Sequence, residues 1–314
     1  MLGGVSSRNE KSLWRLAELG VARHPNFTVV RHDVTDFANT IHVLQSFEPD
    51  EIYNLAAQSF VEESFRQPLR TFESTAIGPL ILLESIKALG IDSKFYQASS
   101  SEMFGMTQQS PQNELTPFYP RSPYGVAKLS AHWTTVNYRE SYGIFGASGI
   151  LFNHESPLRG PEFVTRKITS HFARWSMGDR AVLRLGNLDA QRDWGFSGDY
   201  VRGMWQILQL EQPDTFVLAT EKSTTVRDFV KIAAQQVGVS LEFEGAGEQE
   251  IAKDTESGEI VLEVSPEFFR PAEVDLLLGD SAKARTAFGW SAGTTLEQLA
   301  AMMVSKEIDW IKHK

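Results

Sequence analysis

Tyr124 and Lys128 are the two residues best placed to do chemistry together. They stand four apart in Tyr124-Gly-Val-Ala-Lys128, and on a helix positions i and i+4 share a face. A phenol with its ordinary pKa of ~10 is a poor base at neutral pH, but a cation held beside it favours the phenolate. Such a pair can take a proton from a substrate hydroxyl. An ordinary surface helix yields the same spacing by chance, so the pair needs support from elsewhere. Ser100-Ser101-Glu102 supplies it. A serine there can hydrogen-bond a reacting oxygen, and a carboxylate can remove a carbon-bound proton. Taken singly, the serines also read as strand-end caps and Glu102 as a solvated loop acid; it is the convergence of three elements that carries the reading.

The elements that must position these residues follow from periodicity. Apolar, β-rich runs at Phe27–Asp33, Glu51–Ala57, Lys94–Ser100 and Phe145–Phe152 alternate with amphipathic stretches at Ala38–Phe47, Leu80–Leu89 and Tyr124–Tyr142. Short, nearly all-apolar strands alternating with helices imply a parallel sheet covered on both faces. Ligands of such sheets bind at the carboxyl ends of the strands, where Asp33, Ala56-Ala57 and Ser99-Ser100-Ser101 fall. Beyond about residue 155 helices are expected at Thr165–Met177, Asp199–Leu210, Val226–Val237 and Leu296–Ile311. Strands are expected at Thr215–Ala219 and Ile260–Val264, and a polar loop at Gly245–Gly258. The expected fold class is α/β: a doubly wound, mostly parallel, Rossmann-like sheet with a smaller mixed α/β C-terminal substrate domain.

Composition narrows the function. The 314 residues include no cysteine, which excludes disulfides, thiolate zinc sites and cysteine nucleophiles and fits a cytoplasmic protein. A net charge of −10 argues against bulk nucleic-acid binding, while a few local arginines could still hold a small anion. No apolar run reaches the ~18 residues needed to cross a bilayer, and the start lacks a signal-peptide pattern. No spacing of His, Asp and Glu demands a metal. A dinucleotide-binding sheet opens with a strand and a glycine-rich turn that cradles the pyrophosphate, and Gly3-Gly4 is too short to serve. The chain is therefore expected to begin at the second strand of such a sheet, without the first strand and glycine loop, and to bind a dinucleotide poorly as it stands.

Several strings in order carry a resemblance: Tyr53-Asn-Leu-Ala-Ala-Gln-Ser59, Phe95-Tyr-Gln-Ala-Ser-Ser-Ser-Glu102, Pro117-Phe-Tyr-Pro-Arg-Ser-Pro-Tyr124, Asn137-Tyr-Arg-Glu-Ser-Tyr142, Phe152-Asn-His-Glu-Ser-Pro157, Phe163-Val-Thr-Arg-Lys-Ile-Thr169, Arg192-Asp-Trp194 and Phe269-Arg-Pro-Ala-Glu-Val274. From about residue 27 to the C-terminal region the chain resembles the extended short-chain dehydrogenase/reductase family, and within it the GDP-mannose 4,6-dehydratases. Asn153–Pro157 with Arg166-Lys167 points to that branch rather than to sugar epimerases in general.

The resemblance implies roles. Tyr124 is the expected base for the C4 hydroxyl, with Lys128 tuning it. Ser100 stands for the family's active-site Thr/Ser. Glu102 stands for the acid/base that removes the C5 proton and helps expel the C6 hydroxyl. The implied cofactor is NADP, held by Ser7, Arg8, Asp33, Val34, Leu55, Ala56, Ala57, Ser59, Tyr124, Lys128, Leu151, Asn153, His154 and Arg159. An arginine at position 8 could pair with the adenosine 2′-phosphate, or be a solvated charge. Core packing would also account for Leu55, and a hydrogen-bonded structural role is the better reading of His154. The implied GDP-sugar site comprises Ser59, Ser100, Glu102, Asn153, Glu155, Val164, Lys167, Arg192, Arg270 and Glu273. Arginine forks suit diphosphate oxygens, and the Glu273 carboxylate could accept from the guanine N1–H and amino group.

The expected division is residues 1–155 with about 186–222 for the dinucleotide and about 156–185 with 223–314 for the sugar nucleotide, the active site lying in the cleft between them. The expected activity is dehydration of GDP-mannose to GDP-4-keto-6-deoxymannose by internal hydride transfer, in a homodimer or homotetramer. The alternatives are a GDP-4-keto-6-deoxymannose reductase, an epimerase of the same fold, a GDP-manno-heptose dehydratase, and an inactive fragment that only binds. Glu102 argues against the reductase and the epimerase.

Overall fold

The computed structural model of the chain describes residues 1–6, 13–268, 274 and 276–313. Ser7, Arg8, Arg270 and Glu273, all expected at the site, lie outside the described residues. The chain divides into two compact units. The first comprises Met1–Met103, Ser122–Ile150 and Met204–Thr215, and the second Phe104–Arg121, Leu151–Gly203 and Phe216–Lys314.

In the first unit β1 (Leu2–Val5) is followed by α1 (Trp14–Glu18), β2 (Thr28–Arg31), α2 (Phe37–Phe47) and β3 (Glu51–Asn54). Then come α3 (Val61–Arg66), α4 (Pro68–Phe72), α5 (Gly78–Leu89), β4 (Lys94–Ser100), α6 (Pro123–Tyr142) and β5 (Gly146–Leu151). β1 and β2 form a parallel ribbon, Leu2 opposite Thr28 and Val5 opposite Arg31. Gly3 and Gly4 are thus strand residues, not a turn. A Cβ on Gly3 would come within 2.9 Å of the Phe27 ring, and one on Gly4 within 3.0 Å of His32 Nδ1, so close side-chain packing accounts for both glycines. β3 pairs in parallel with β4, Asn54 opposite Gln97, and β5 lies on the other side of β4. Gly149 leaves room for Tyr96, whose Oη would sit only 2.1 Å from an added Cβ.

Burial on one face of these strands holds the helices. Leu44 of α2, Leu82, Leu83 and Ile86 of α5, Phe95 of β4 and Tyr138 of α6 form a single buried cluster. Their spacing on α5, i, i+1 and i+4, is the apolar stripe that a surface helix presents to a core.

The second unit contains β6 (Asn153–Glu155), α7 (Val164–Ser176), β7 (Leu183–Leu185), β8 (Gln191–Arg192), β9 (Trp194–Phe196) and the start of α8 (Ser197–Leu208). After β10 (Thr215–Leu218) and β11 (Thr224–Thr225) come α9 (Val226–Gln235), β12 (Leu241–Glu244), β13 (Ile251–Asp254), β14 (Ile260–Val264), α10 (Ala282–Phe288) and α11 (Leu296–Lys312). β12-β13-β14-β7 make a mixed sheet. Its core joins Ile168, Phe172 and Trp175 of α7 to Phe229, Val230 and Ala233 of α9 and to Ala252, Val261 and Leu262 of the strands. α11 starts with a capping box between Thr295 and Gln298, which satisfies two of the helix's orphan donors.

The stretch expected to be a loop at Gly245–Gly258 is corrected by β13, which pairs antiparallel with both β12 and β14. Only Ala252 and Asp254 are buried in it, so its apolar alternation is too weak to read, and long-range pairing decides the strand. Among the described residues no helix is long and apolar enough to cross a membrane.

Candidate active site

In the first unit, α6 places Tyr124 and Lys128. Ser122 caps the helix, its Oγ accepting from the Gly125 N–H at 3.0 Å, and Pro123 fills the first turn, where its missing N–H costs nothing. Gly143, at φ 69°, ends the helix. Tyr124 therefore lies in the first turn, with Lys128 one turn on. Both are buried, at 8% and 4% exposure. The Lys128 Nζ lies 5.8 Å from the centre of the Tyr124 ring and donates to the Ala98 carbonyl at 2.7 Å. Burial pulls the Lys128 ammonium down to about 8, because desolvation disfavours the charged form.

α6 packs against β4 and the 3₁₀ turn Ser101–Met103 that follows it. Ser100 ends β4, and its Oγ accepts from the Glu102 N–H at 3.2 Å. Glu102 is half-buried on that turn. The structure thus gathers Tyr124, Lys128, Ser100 and Glu102 around the carboxyl end of one strand and the start of the helix packed on it.

Two further residues belong to this frame, and neither was singled out from the sequence. Asn54 Nδ2 donates to Gln97 Oε1 at 2.9 Å, and Asn54 Oδ1 accepts from the Ala56 N–H at 3.3 Å. Asn54 therefore fixes the backbone of Leu55-Ala56-Ala57. Its signal in the sequence was the buried polar ending of an apolar strand. The second residue is His132, hydrogen-bonded through Nδ1 to Ser99 Oγ at 2.9 Å. It stands one turn beyond Lys128, and that spacing was its only signal.

The remaining strand-end residues are also located. Asp33 is exposed after β2, its Oδ1 accepting from the Thr35 N–H and hydroxyl. Val34 packs over Gly78 at the start of α5. Leu55 is 56% exposed, so core packing does not account for it. Ala56 and Ala57 are half-buried and Ser59 is exposed.

In the second unit, Leu151 is buried at the end of β5, and β6 runs parallel to β9, Asn153 opposite Trp194. The Asn153 Oδ1 is buried without a hydrogen bond. His154 donates from Nδ1 to the Phe152 carbonyl and stacks on Tyr200, a structural placement. Glu155 is 2% exposed and accepts from Thr165 Oγ1 at 2.7 Å. Arg159 Nε lies 2.9 Å from the same carboxylate without hydrogen-bond alignment, and its guanidinium lies over the Phe163 ring at 3.5 Å. Val164 opens α7, and Lys167 Nζ stands 3.9 Å over the Phe268 ring.

Arg192 is buried, with Nη1 donating to the carbonyls of Gln191 and Val274. Its neighbour Asp193 accepts from the Thr220 N–H and hydroxyl and from the N–H groups of Glu221 and Gly279. Burial raises the Asp193 pKa against the opposing pull of these bonds. In the sequence this residue stands out only as part of a string, because its three partner residues are 27 to 86 positions away. Among the described residues no cluster of His, Cys, Asp and Glu could hold a metal.

A sequence model of the GDP-mannose 4,6 dehydratase family matches residues 2–303. A GDP-mannose 4,6-dehydratase of Sinorhizobium fredii (strain HH103) is 52% identical over 282 residues, which cover 89% of this chain and 80% of the relative. That of Yersinia enterocolitica is 48% identical over 301 residues, 92% and 81% of the two chains. Among solved structures, RMD from Pseudomonas aeruginosa complexed with NADPH superposes with a TM-score of 0.79 at 24% identity, covering 98% of this chain and 99% of that one. The UDP-glucose 4-epimerase of Thermotoga maritima gives 0.78 at 21% identity, with full coverage of both chains. At those identities the superpositions establish the shared α/β fold.

Proposed function

Since the chain belongs to the GDP-mannose 4,6-dehydratase family, we propose that it converts GDP-mannose to GDP-4-keto-6-deoxymannose with NADP as a regenerated cofactor. The observation that carries the reading is Glu102 on the turn directly after Ser100, at the strand end against which Tyr124 and Lys128 are buried. Oxidation at one carbon needs only a base, whereas loss of water from the neighbouring carbons needs a further acid/base. A reductase or an epimerase has no use for it.

The residues present suit a nicotinamide dinucleotide. Leu55 offers exposed apolar surface beside two alanines that allow close backbone approach, and the Asp33 carboxylate stands exposed at the next strand end. The residues proposed to hold the cofactor are Asp33, Val34, Leu55, Ala56, Ala57, Ser59, Tyr124, Lys128, Leu151, Asn153 and Arg159, and by resemblance alone Ser7 and Arg8. Bound NADP supplies reversible hydride exchange with a sugar carbon.

The chain's own residues do the rest. Tyr124, as a phenolate stabilised by the Lys128 cation, takes the proton of the C4 hydroxyl while the hydride leaves C4. Ser100 donates a hydrogen bond to the same oxygen. The resulting ketone acidifies C5–H, so the Glu102 carboxylate removes that proton and returns it to the departing C6 hydroxyl, which leaves as water; C6 then takes back the hydride and C5 the proton held on Tyr124, which gives the 4-keto-6-deoxy sugar and leaves the side chains as they began. Ser59, Asn153, Glu155, Val164, Lys167, Arg192, Arg270 and Glu273 would hold the sugar nucleotide. The division of labour assigns the dinucleotide to residues 1–155 with about 186–222, and the GDP-sugar to about 156–185 with 223–314. The proposal extends to a homodimer or homotetramer in the cytoplasm. Val126 and Trp133, exposed seven positions apart on α6, support a subunit contact, and light scattering tests it.

The deciding experiment follows GDP-mannose by NMR with substoichiometric NADP. The expected product is GDP-4-keto-6-deoxymannose with no net change in absorbance at the reduced-cofactor band. Stoichiometric consumption of NADPH, or a C4 epimer as product, would replace this reading by one of the others.

A further inference from the structure

We propose that His132 is a positioning residue, holding the strand end that presents Ser100 and Glu102 in fixed register against the helix that carries Tyr124 and Lys128. The inference rests on the dehydratase reading for its catalytic consequence and on geometry for its placement.

β4 and α6 are tied at two points. Lys128 Nζ donates to the Ala98 carbonyl at 2.7 Å, and His132 Nδ1 meets Ser99 Oγ at 2.9 Å. The ties are one residue apart on the strand and one turn apart on the helix. They add to the pairing of β4 within its sheet and to the packing of Phe95 with Tyr138, and they set the direction of the last residues of the strand. Successive side chains of a strand point to opposite faces, so a Ser99 side chain held toward α6 sets the direction of Ser100. Ser100 Oγ in turn accepts from the Glu102 N–H, which passes the constraint on to the acid/base.

The chemistry of the imidazole suits a fixed tie. His132 is 3% exposed. Burial, with a smaller contribution from the Arg139 charge, brings its pKa down to about 4. The ring is neutral at working pH, and its bond to Ser99 does not switch there. Lys128, the other tie, tunes the Tyr124 base, whereas the role assigned to His132 acts only through Ser99.

The test uses His132→Phe, which keeps a ring but removes the nitrogen, His132→Asn, which restores a polar atom near Nδ1, and Ser99→Ala, which deletes the partner with little loss of volume. A misplacement of about 1 Å costs on the order of 10²-fold in turnover. The expected result is a kcat lowered by about 10- to 100-fold in His132→Phe and Ser99→Ala, with the KM for GDP-mannose little changed. His132→Asn should recover most of kcat, and the His132→Phe/Ser99→Ala double variant should be no worse than either single. Amide hydrogen exchange at Ser100–Glu102, measured without substrate or cofactor, should rise in the first two variants and not in His132→Asn. Unchanged kcat and exchange in Ser99→Ala overturn the proposal, as do additive effects in the double variant. If the parent protein shows no dehydratase turnover, the functional reading fails, while the exchange measurement still decides whether His132 holds the strand end. Should His132→Phe not fold, Ser99→Ala and His132→Asn carry the comparison.

Discussion

The Lys128 ammonium is buried one helical turn from Tyr124 and spends a hydrogen bond on the Ala98 carbonyl, 2.7 Å away on the strand that ends in the serine cluster. One side chain thus places a positive charge 5.8 Å from the centre of the phenol ring and anchors the helix to the sheet. Its position makes the following consequences measurable.

Tyr124→Phe keeps the ring that packs at the start of α6 and removes only the hydroxyl. Turnover is expected to fall ~10²–10⁴-fold, the usual size of a general-base contribution, with circular dichroism and GDP affinity unchanged. A folded variant turning over at near the parental rate excludes Tyr124 as the base.

Lys128 makes stability depend on alkaline pH. Its folded-state pKa of about 8 lies below the ordinary lysine value of 10.5, so between those values the unfolded chain binds the extra proton. Stability then rises with pH across that window. Urea denaturation of the parent and of Lys128→Met at pH 7.5, 9 and 10 should show the parent gaining on the variant as pH rises. A difference that stays constant with pH contradicts the burial penalty.

His171 is expected to weaken the protein in acid. Burial lowers its pKa to about 4, Arg174 adding to the effect and Asp179 opposing it. Below the ordinary histidine value of 6.5 the unfolded chain takes up a proton that the folded one refuses, and stability falls as pH drops from 6.5 toward 4. Its Nε2 is also buried without a hydrogen bond, beside Phe172 and Trp175. An apolar ring of similar shape can be neutral or stabilising at such a site. His171→Phe should therefore match or exceed the parent in urea at pH 7 and lose less stability at pH 5. A loss at pH 7 of more than about 2 kcal/mol, the scale of a broken buried hydrogen-bond network, would falsify this.

Arg192→Ala is expected to weaken GDP binding by about 1.5–3 kcal/mol, the range for hydrogen bonds to charged groups. The variant also loses the bond from Nη1 to the Val274 carbonyl, so thermal melting should be run beside the calorimetry. Parental GDP affinity in a folded Arg192→Ala protein removes this arginine from the phosphate site.

The sequence alone determined the elements that bear the chemistry. The strand Lys94–Ser100 appears over the same residues in the structure, and the helix from Tyr124 to Tyr142 starts one residue earlier, at Pro123. Both are legible because their signals are local: an apolar run, an N-cap serine with proline after it, and a glycine at the end. The family strings rest on the same contiguous residues. Only the tertiary structure decided which of them are held, and by what. The 251–254 strand draws its pairing from neighbours on both sides and carries little apolar pattern of its own. The Asn54–Gln97 bond spans 43 positions and the Ser99–His132 bond 33. Asp193 gathers donors from two distant loops. Each depends on the register of one element against another, and a one-residue slip would reverse which face every side chain of a strand meets. The lowered pKa of Lys128 has the same origin. Spacing places the lysine beside the tyrosine, but only packing against β4 removes the water that would have kept its pKa ordinary.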